Sequence, residues 1–514
     1  MKRYILVLAT TILCATTIQA QTTYEAANVL GSDLNGTARF VGMGGAMSAL
    51  GADISTMGTN PAGIGLYRSC DMMLSFGGNS VSQKTAFKAV NNSTLRTSGS
   101  FDNTGLVIAN KISNEGVLRF VNTGFNYHRV KNFNQNMLMS GNLGGLSQTG
   151  QMAMQVFDNL AIGDEFFDPE SDYGFPNYNY YRDPNFGWLS LLGADSYLID
   201  NTAFDEGFYY PSETCKYTGY ENGGISDYDF NLSFNFIDQV YFGATLTYTN
   251  VNYSQHTIYS EQFSDGNYTL ENWYKTLGGG VNLKVGAIIR PFEDSSLRFG
   301  IAATTPTLLH LTDYNSAIIS STINNETYCM DTYDEAAFYG DCETSYSNRT
   351  PAKINVSAGY TFGCNLALGA EYEYTNLSAT RLYEEAGNEN MVINEHTHAY
   401  LMPQHTFRLG AEKVFFDCFS VRAGYNYISG GYDLNAWKMI PINSVQTNTD
   451  YKNIRNTNNV TFGIGYSGEA FYADLGILCS RQNADFYPFD NTELQATKLT
   501  RTYVKGLCTL GLRF

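Results

Sequence analysis

Two histidines, His396 and His398, follow Glu395 and are the residues of this chain best suited to bind a metal ion or a porphyrin iron. Side chains two positions apart on a strand project to the same side, so both imidazoles would reach one ion. A histidine pair with a neighbouring carboxylate is a weaker signal than the cysteine and histidine sets of dedicated metal sites. We therefore interpret them as solvated loop histidines and expect no metal site and no cofactor. Porphyrin binding is the alternative.

Sequence patterns of common enzymes are missing. The chain has no Gly-x-Ser-x-Gly sequence, which presents the nucleophilic serine of many hydrolases. The glycine-rich stretch 42–47 lacks the third glycine of a dinucleotide-binding turn, and no strand-helix-strand unit surrounds it. The other histidines, His128, His256, His310 and His405, have no nucleophile paired with them in the sequence. We expect no catalytic residues and no enzymatic activity.

The composition argues against a nucleic-acid partner and against an ordinary soluble domain. The formal net charge is −18, with 49 acidic and 31 basic residues, and a surface of this sign repels nucleic acid. Aromatic residues make up 14% of the chain and charged residues only 16%, against about 25% charged residues in typical soluble domains. The chain therefore has much apolar surface and few charges to keep it in water.

The first twenty residues have the layout of a secretory signal peptide. A basic start precedes an apolar run over 4–15, and Ala20 stands before the polar Gln21. We expect residues 1–20 to be removed by cleavage near Ala20. A lipid anchor on Cys14 is the weaker alternative, because Leu13 stands where a lipid-attachment site needs a small residue.

Cysteine usage offers one candidate disulfide. Eight cysteines follow residue 20, and four of them lie in strand-like runs, where a free thiol acts as a small hydrophobe. Cys329 and Cys342 share one polar segment and are the best candidates for a bridge.

The main structural signal is an alternation of apolar and polar side chains with period two. In residues 227–236, tyrosine, phenylalanine and leucine occupy the even positions, and aspartate, asparagine and serine occupy the odd ones. This pattern indicates a strand with one apolar and one polar face. It predicts fourteen strands, each near the length that crosses a bilayer: 71–81, 101–111, 117–130, 226–236, 240–249, 279–290, 296–304, 352–362, 365–375, 404–415, 418–428, 457–467, 470–480 and 501–514.

The connections between these strands alternate in length. Gaps such as 237–239 and 416–417 are short, whereas 131–225 and 305–351 are the longest. Outer-membrane barrels have short periplasmic turns and long outer loops, and no run of about 18 apolar residues after the signal offers a membrane-spanning helix. We therefore expect an all-β fold, a fourteen-stranded antiparallel transmembrane β-barrel. A soluble β-sandwich, which has no reason to sort its connections in this way, is the weaker alternative.

The last predicted strand, 501–514, ends on the aromatic residue Phe514. An amphipathic strand with a terminal aromatic residue resembles the recognition signal of bacterial outer-membrane barrels. It implies a location in the bacterial outer membrane and the barrel-assembly machinery as a partner. The apolar face of each strand would contact outer-membrane lipid, and the polar face would line the lumen.

The segment before the first strand is apolar but has no regular pattern. In ADISTMGTNPAGIGLYR, residues 52–68, the Asn60-Pro61 pair excludes a helix or a central strand at that point. Ile54, Ile64 and Leu66 nevertheless require burial. Another part of the chain must therefore cover them.

Residues 38–67 resemble the N-terminal hatch of the FadL/TodX family of outer-membrane transporters for hydrophobic compounds. The most specific part is the sequence Asn60-Pro61-Ala62-Gly63, and further similarity lies at 350–353, 405–410 and 422–425. The resemblance implies a hatch over 21–70 that plugs the lumen of a barrel over 71–514. Asn60, Pro61, Ala62 and Gly63 would then form the gate.

In the third predicted strand, the apolar face changes phase between Phe120 and Val121, which indicates a β-bulge. Members of the family have a kinked third strand that opens a gap in the barrel wall. The resemblance implies a lateral opening at Phe120, Val121, Asn122 and Gly124, with an ordinary bulge as the alternative. Sideways exit needs no energy source, because entry into lipid is favourable by about 0.8 kcal/mol per CH₂ group.

The long gap 131–225 contains Met152 and Phe157 in a possible helix, followed by Trp188, Leu191 and Leu192. Apolar residues at helical spacing usually pack against the barrel rim, and the alternative is a groove that captures an apolar ligand. We name these five residues as the candidate capture site.

The sequence and the resemblance together predict a channel for passive, ligand-gated uptake of hydrophobic small molecules, of the long-chain fatty acid or aromatic hydrocarbon type. A haem or porphyrin uptake receptor and a structural or adhesive barrel are the alternatives.

Overall fold

The computed structural model describes residues 21–158, 179–199, 210–334, 337–363 and 365–514. The predicted signal peptide, residues 1–20, lies outside the described residues, and so does part of the long connection 131–225. No helix in the described part of the chain is both long and apolar enough to cross a membrane.

Nineteen strands form one antiparallel sheet in these ranges. They are β1 Asp71–Phe87, β2 Val90–Lys111, β3 Leu118–Asn132, β4 Gln135–Asn142, β5 Thr214–Phe236, β6 Val240–Gln262, β7 Gly266–Ile289, β8 Arg298–Thr304, β9 Leu308–Ile323, β10 Glu326–Asp331, β11 Cys342–Arg349, β12 Lys353–Phe362, β13 Leu366–Asn376, β14 Arg381–Glu384, β15 Pro403–Phe415, β16 Phe419–Ser429, β17 Tyr451–Ser467, β18 Phe471–Tyr487 and β19 Thr497–Arg513.

The sheet closes on itself. β1 pairs with β2 on one side and with β19 on the other, from Asp71 opposite Arg513 to Ala86 opposite Lys498. Some strands follow one another end to end and pair with the same neighbours, so together they count as one position in the ring. These sets are β3 with β4, β8 with β9, β10 with β11 and β12, and β13 with β14. The described strands therefore occupy fourteen positions, which confirms the predicted fold class.

The wall is apolar outside and polar inside. On β5, Tyr228, Phe230 and Leu232 are exposed on the outer face, whereas Asp229 and Ser233 on the other face are completely buried. The same division recurs around the ring and is the reverse of a water-soluble sandwich, whose apolar faces are buried. An apolar outer belt around a polar lumen fits a wall that crosses a hydrocarbon layer.

Several strands continue far beyond this belt on the side of the long connections. β5, β6 and β7 have 23, 23 and 24 residues, about twice the number needed to cross a bilayer. The long connections expected at 305–351 and between the predicted strands 240–249 and 279–290 are therefore mostly strand, and the expectation of long loops there was wrong. Beyond the bilayer no face of a strand contacts lipid, so the alternation that marks a transmembrane strand ends before the strand does.

Short helices lie before the first strand and within the outer connections. They are the α-helices Thr23–Asn28, Ala38–Gly42, Gln148–Asp158, Trp188–Asp195 and Met391–Tyr400, and the 3-10 helices Ile54–Gly58, Pro61–Leu66, Tyr180–Arg182 and Leu377–Ala379.

The stretch around Asn60 and Pro61 forms the 3-10 helix Pro61–Leu66, so the expectation that it has no helix was wrong. Asn60 caps this helix, and its side chain accepts a hydrogen bond from the Ala62 N–H at 3.2 Å. A proline is tolerated at the first helical position because that residue has no N–H partner to lose.

The N-terminal segment, residues 21–70, lies inside the ring. The Ser233 hydroxyl of β5 donates to the Pro61 carbonyl at 2.8 Å, and the Thr461 hydroxyl of β17 donates to the Gly42 carbonyl at 3.1 Å. The Thr509 hydroxyl of β19 accepts from the Ala38 N–H at 2.8 Å. These strands stand on different sides of the ring and all face inward, so the chain that touches them occupies the lumen.

The segment fits because inward-facing glycines line the wall at its level. Gly359, Gly369, Gly410 and Gly424 face one another in register on β12, β13, β15 and β16. A Cβ atom at Gly369 would lie 2.1 Å from the Ala46 carbonyl oxygen. We use the name glycine belt for eight of these glycines: Gly105, Gly124, Gly243, Gly286, Gly359, Gly369, Gly410 and Gly424.

We expect Gly410→Ala to loosen the N-terminal segment, because the new Cβ would lie 2.3 Å from the Met43 carbonyl oxygen. Overpacking of this kind costs about 1–3 kcal/mol. Limited proteolysis of the purified protein should then cut the segment faster than in the wild type. Gly506→Ala is the matched control, since no atom lies within 4 Å of its Cβ position. Equal cleavage of the two variants would contradict the tight fit.

Candidate functional site

Buried ion pairs fasten the N-terminal segment to one side of the wall. The Arg39 guanidinium donates two hydrogen bonds to the Glu412 carboxylate of β15, through Nε and Nη2, both at 2.9 Å. Arg422 of β16 also donates to Glu412 and to Asp474 of β18, each at 2.5 Å. Two carboxylates thus balance two guanidinium groups at the level of the glycine belt. Charge-assisted contacts of this kind fix both the position and the orientation of the segment.

The predicted gate residues Asn60, Pro61, Ala62 and Gly63 are buried and fastened to the opposite side of the wall. The Asn60 side-chain amide donates to the Ala287 carbonyl of β7 at 3.3 Å, and the Pro61 carbonyl accepts from Asn231 and Ser233. The chain leaves the lumen for β1 soon afterwards. The four residues therefore lie near the short-turn end of the barrel, and their role as a gate stays a prediction.

The predicted lateral opening, Phe120, Val121, Asn122 and Gly124, lies in a continuous part of the wall. β3 pairs without interruption with β2 from Phe120 to His128, and with β5 over the same four residues. The register shifts of β3 occur on the β5 side, between Leu118 and Phe120 and between Arg129 and Lys131. The gap expected at 122–124 is therefore not found there.

The register shift between Leu118 and Phe120 lies beside the predicted change of phase in β3, as the alternative of an ordinary bulge expects. Phe120 faces the lumen together with Asn122 and is buried, with the Arg68 guanidinium 4.6 Å above the centre of its ring. Asn122 donates to the Ile64 and Tyr67 carbonyls at 2.8 and 3.1 Å. Phe120 is thus an aromatic residue on the polar face, and Asn122 is an anchor of the N-terminal segment.

The wall does have a seam, which lies nearer the long connections. The β2–β3 ladder ends where Asn103 faces His128, and beyond this pair β2 pairs only with β1 and β4 pairs only with β5. Side chains of β2 cross the seam farther out, where the Asn92 amide donates to the Ser140 hydroxyl of β4 at 3.2 Å. Where the ladder ends, the seam is bridged from inside by the N-terminal segment. The Asn35 side-chain amide donates to Asp102 on β2 at 3.2 Å and to the Arg129 carbonyl on β3 at 2.8 Å.

Two cavities lie in the lumen, on either side of residues 30–34 of the N-terminal segment. The outer cavity, toward the long connections, has a volume of about 240 Å³. The inner cavity, of about 180 Å³, borders the buried parts of the segment and reaches His128 and Lys284. The outer cavity has aromatic walls with polar groups between them: Tyr24, Phe133, Tyr253, Tyr274, Tyr432, Tyr451 and Tyr503 alternate with Gln83, Gln135, Asp450 and Arg501.

Four of the five predicted capture residues lie in the core of a cap over the long-connection end. Met152, Trp188, Leu191 and Leu192 are almost completely buried in one apolar cluster, together with residues such as Phe486. None of these four borders the outer or the inner cavity. These four side chains pack against one another and their neighbours in the cap. Their role in ligand capture stays a prediction. The side chain of Phe157 lies outside the described residues.

The two histidines lie on the helix Met391–Tyr400 and not on a strand. Positions two apart on a helix project to nearly opposite sides, and indeed His396 is buried while His398 is exposed. The His396 Nδ1 atom lies 2.8 Å from the hydroxyl of Thr23 in the N-terminal segment. The expectation of one shared face was therefore wrong, as was that of a solvated His396. Among the described residues, no group of three or more histidine, cysteine, aspartate or glutamate residues is placed to hold a metal ion.

Cys329 and Cys342 are both free, so the candidate disulfide is not formed. Cys342 is buried at the start of β11, whereas Cys329 is exposed on β10.

The residues that hold the segment and line the cavities were not among those predicted from the sequence. The inward glycines of the wall could have been found as glycines at polar-face positions of strands, for example Gly243 and Gly286. Gln83 and Arg501, which lie opposite each other on β1 and β19, come from distant parts of the chain. No local sequence pattern brings such residues together.

No protein-family model and no curated protein matches the chain. Solved structures do match its fold. A FadL homologue of Pseudomonas aeruginosa is 14% identical, with a TM-score of 0.51 over 94% of this chain and 100% of its own. A deltaS2 mutant of the TodX monoaromatic hydrocarbon channel is 11% identical, with a TM-score of 0.50 over 94% and 100%. The chain has the fold of these FadL and TodX channels. This confirms the resemblance at the level of the fold.

A buried carboxylate joins the cap to the outer end of this FadL-type barrel. Glu261 lies near the end of β6, far beyond the exposed Tyr248 of the apolar belt. Its carboxylate accepts from the Gln148 N–H at 2.8 Å, the Ser147 hydroxyl at 2.5 Å and the Tyr259 hydroxyl at 2.6 Å. Burial outweighs these hydrogen bonds and raises the pKa of Glu261 to about 7.

We expect the cap to lose stability as the pH rises from about 4.5, the usual pKa of glutamate, to about 7. In this window the folded cap holds a proton on Glu261 that the unfolded chain has lost, so deprotonation favours opening. Acrylamide should quench the buried Trp188 more strongly at about pH 8 than at about pH 5, in a Trp273→Phe, Trp437→Phe background. Glu261→Gln should remove most of this difference, and an unchanged pH dependence would contradict the assignment.

Proposed function

We propose that this protein is a bacterial outer-membrane channel that takes up hydrophobic small molecules passively, with the N-terminal segment as its gate. The observation that carries the proposal is the segment itself, which fills the lumen between two cavities. Two solved structures that share the fold are described as a FadL homologue and a monoaromatic hydrocarbon channel. In this proposal residues 21–70 form the hatch, residues 71–514 form the barrel, and residues 1–20 are the signal peptide.

The gate is proposed to open at the Asn60-Pro61-Ala62-Gly63 end. This end is held by neutral hydrogen bonds, such as that from Ser233 to the Pro61 carbonyl, and by the solvent-exposed ion pair between Arg68 and Asp238. A neutral hydrogen bond contributes about 0.5–1.5 kcal/mol net, so a bound ligand can offset a few of them. The other side of the segment is held by the Arg39–Glu412 ion pair and would stay in place. The segment would therefore swing open while one side remains fixed.

Release is proposed to occur sideways at the seam between β2 and β3. Both cavities border residues 30–34, and the adjoining Asn35 bridges the two strands where their ladder ends. Movement of this short stretch would join the lumen to the seam. The aromatic pair Phe101 and Tyr127, with ring centres 5.5 Å apart, marks the lipid-facing surface beside it. An apolar molecule that left here would gain about 0.8 kcal/mol per CH₂ group on entering lipid.

The surface supports a location in the outer membrane. The apolar belt matches lipid as its partner, and β19 is followed by Phe514, which is 72% exposed. This end is available as the proposed signal for the barrel-assembly machinery. A haem uptake receptor and an adhesive barrel gain no support, since His396 and His398 point apart and the lumen is filled.

We expect deletion of residues 21–66 to leave a barrel whose uptake of a hydrophobic probe no longer saturates with probe concentration. Without the segment, probes would cross the open lumen at a rate set by diffusion. The measurement is uptake into liposomes that contain the purified protein, with the chain that starts at Gln21 as the control. Saturation at the same probe concentration in both proteins would rule out the segment as a gate.

We expect Asn35→Ala to raise the rate of probe uptake, because it removes the bridge between Asp102 and the Arg129 carbonyl. The same liposome assay measures this rate. Asn91→Ala, at an exposed position near the outer end of β2, is the matched control and should behave as the wild type. If both variants take up probe at the wild-type rate, release does not pass the seam.

A further inference from the structure

Four buried polar side chains that border the outer cavity have atoms with no hydrogen-bond partner among the described residues. They are the Nε atom of Arg501, the Oε1 atoms of Gln83 and Gln135, and the Oδ1 atom of Asp450. A buried polar atom without a partner is unfavourable, so native proteins rarely keep several of them in one place. Four such atoms around one cavity indicate that something polar belongs inside it.

Arg501 is the most notable of the four. It is 9% exposed, forms no ion pair or hydrogen bond among the described residues, and has its guanidinium 5.0 Å from the centre of the Tyr503 ring. Gln83 faces it directly across the β1–β19 ladder and is 2% exposed. The two side chains therefore present a donor and an acceptor at adjacent positions of the same wall.

The other two groups are already held in place by their second polar atom. Gln135 donates through Nε2 to the Glu221 carboxylate at 2.9 Å, which leaves its Oε1 atom free. The Oδ2 atom of Asp450 accepts from the Tyr217 hydroxyl at 3.0 Å, which leaves Oδ1 free. Groups fixed in this way are preorganised for a ligand rather than collapsed on each other.

Between these groups the cavity presents aromatic rings. The Tyr24 ring stacks on Tyr432 at 5.3 Å, and Phe133 meets Tyr253 edge to face at 4.6 Å. The Tyr24 hydroxyl is already engaged, since it donates to Asn453 at 2.7 Å. These side chains offer flat apolar surface, which suits a ring system.

We propose that the outer cavity binds an amphipathic ring compound that carries several hydroxyl groups. The inference rests on the proposed function, because it names the class of molecule that the channel accepts. Three of the open atoms are acceptors and one is a donor, and a hydroxyl group can serve both. A plain hydrocarbon would leave all four unpartnered. A carboxylate on an aliphatic chain would serve only Arg501 and would bring a negative charge toward Asp450 and Glu221.

Binding of three probes to the purified protein tests the proposal: flavanone, a trihydroxyflavanone with the same ring skeleton, and laurate. Isothermal titration calorimetry should give the trihydroxy compound an affinity at least about tenfold higher than the other two, since the loss of even one hydrogen bond to a charged group lowers the affinity by about this factor. Arg501→Met should lower the affinity for the trihydroxy compound about tenfold and leave flavanone unchanged. Gln83→Leu should act in the same direction.

Arg513→Met is the matched control, because Arg513 lies on the same strand at the opposite end of the barrel, beside Tyr472. It should leave the affinities for all three probes unchanged. If flavanone binds the wild type as tightly as the trihydroxy compound, ordered water fills the open hydrogen bonds, and the proposal fails while an apolar channel stands. Tighter binding of laurate than of either ring compound would also overturn it. If none of the probes binds or enters liposomes, the proposed function fails as well.

Discussion

The structure depends on the close approach of one backbone to another. The N-terminal segment does not fill the lumen with side chains alone, since the Ala46, Met43 and Pro61 peptides lie directly against the strands. Each of these contacts is possible only where the wall has no Cβ atom, as at Gly369, Gly410 and Gly243. A strand gains nothing from glycine by itself, because glycine packs poorly there and loses more entropy on folding. The glycine belt therefore lowers the stability of the wall by itself, and contact with the N-terminal segment offsets this loss.

This arrangement explains why the lumen is polar although the segment is apolar. The outer face of every strand must be apolar to contact lipid, so the alternation leaves polar side chains inside. Asn122, Asn231 and Ser233 use these positions to satisfy carbonyl groups of the short 3-10 helices. Ile54, Met57 and Ile64 are meanwhile buried against Val107 and Tyr472. The segment is thus held by hydrogen bonds and by a small apolar core. These contacts are stable together, but one part of the segment can leave the wall while another stays bound.

Much of the fold was predictable because it depends on an alternation that lipid enforces. Phe230 and Leu232 on one face, with Asp229 and Ser233 on the other, are enough to identify a transmembrane strand. The prediction weakened wherever lipid was not the neighbour. The alternation does not mark the strand extensions beyond Tyr248, and Phe120 predicted a gap because an aromatic residue on the lumen face interrupts the alternation. His396 and His398 lie outside the lipid-facing strands as well, and two residues are too few to distinguish the period of a strand from that of a helix.

The period-two alternation alone predicts the fourteen strands and their order, because each strand is marked by a pattern within a short stretch of chain. What lines the cavities depends on contacts between distant parts of the chain. Gln83, Gln135, Asp450 and Arg501 come from four distant strands or loops, and closure of the ring alone brings them together. The seam between β2 and β3 is likewise a tertiary feature, because the end of a strand pairing leaves no pattern in the amino-acid sequence.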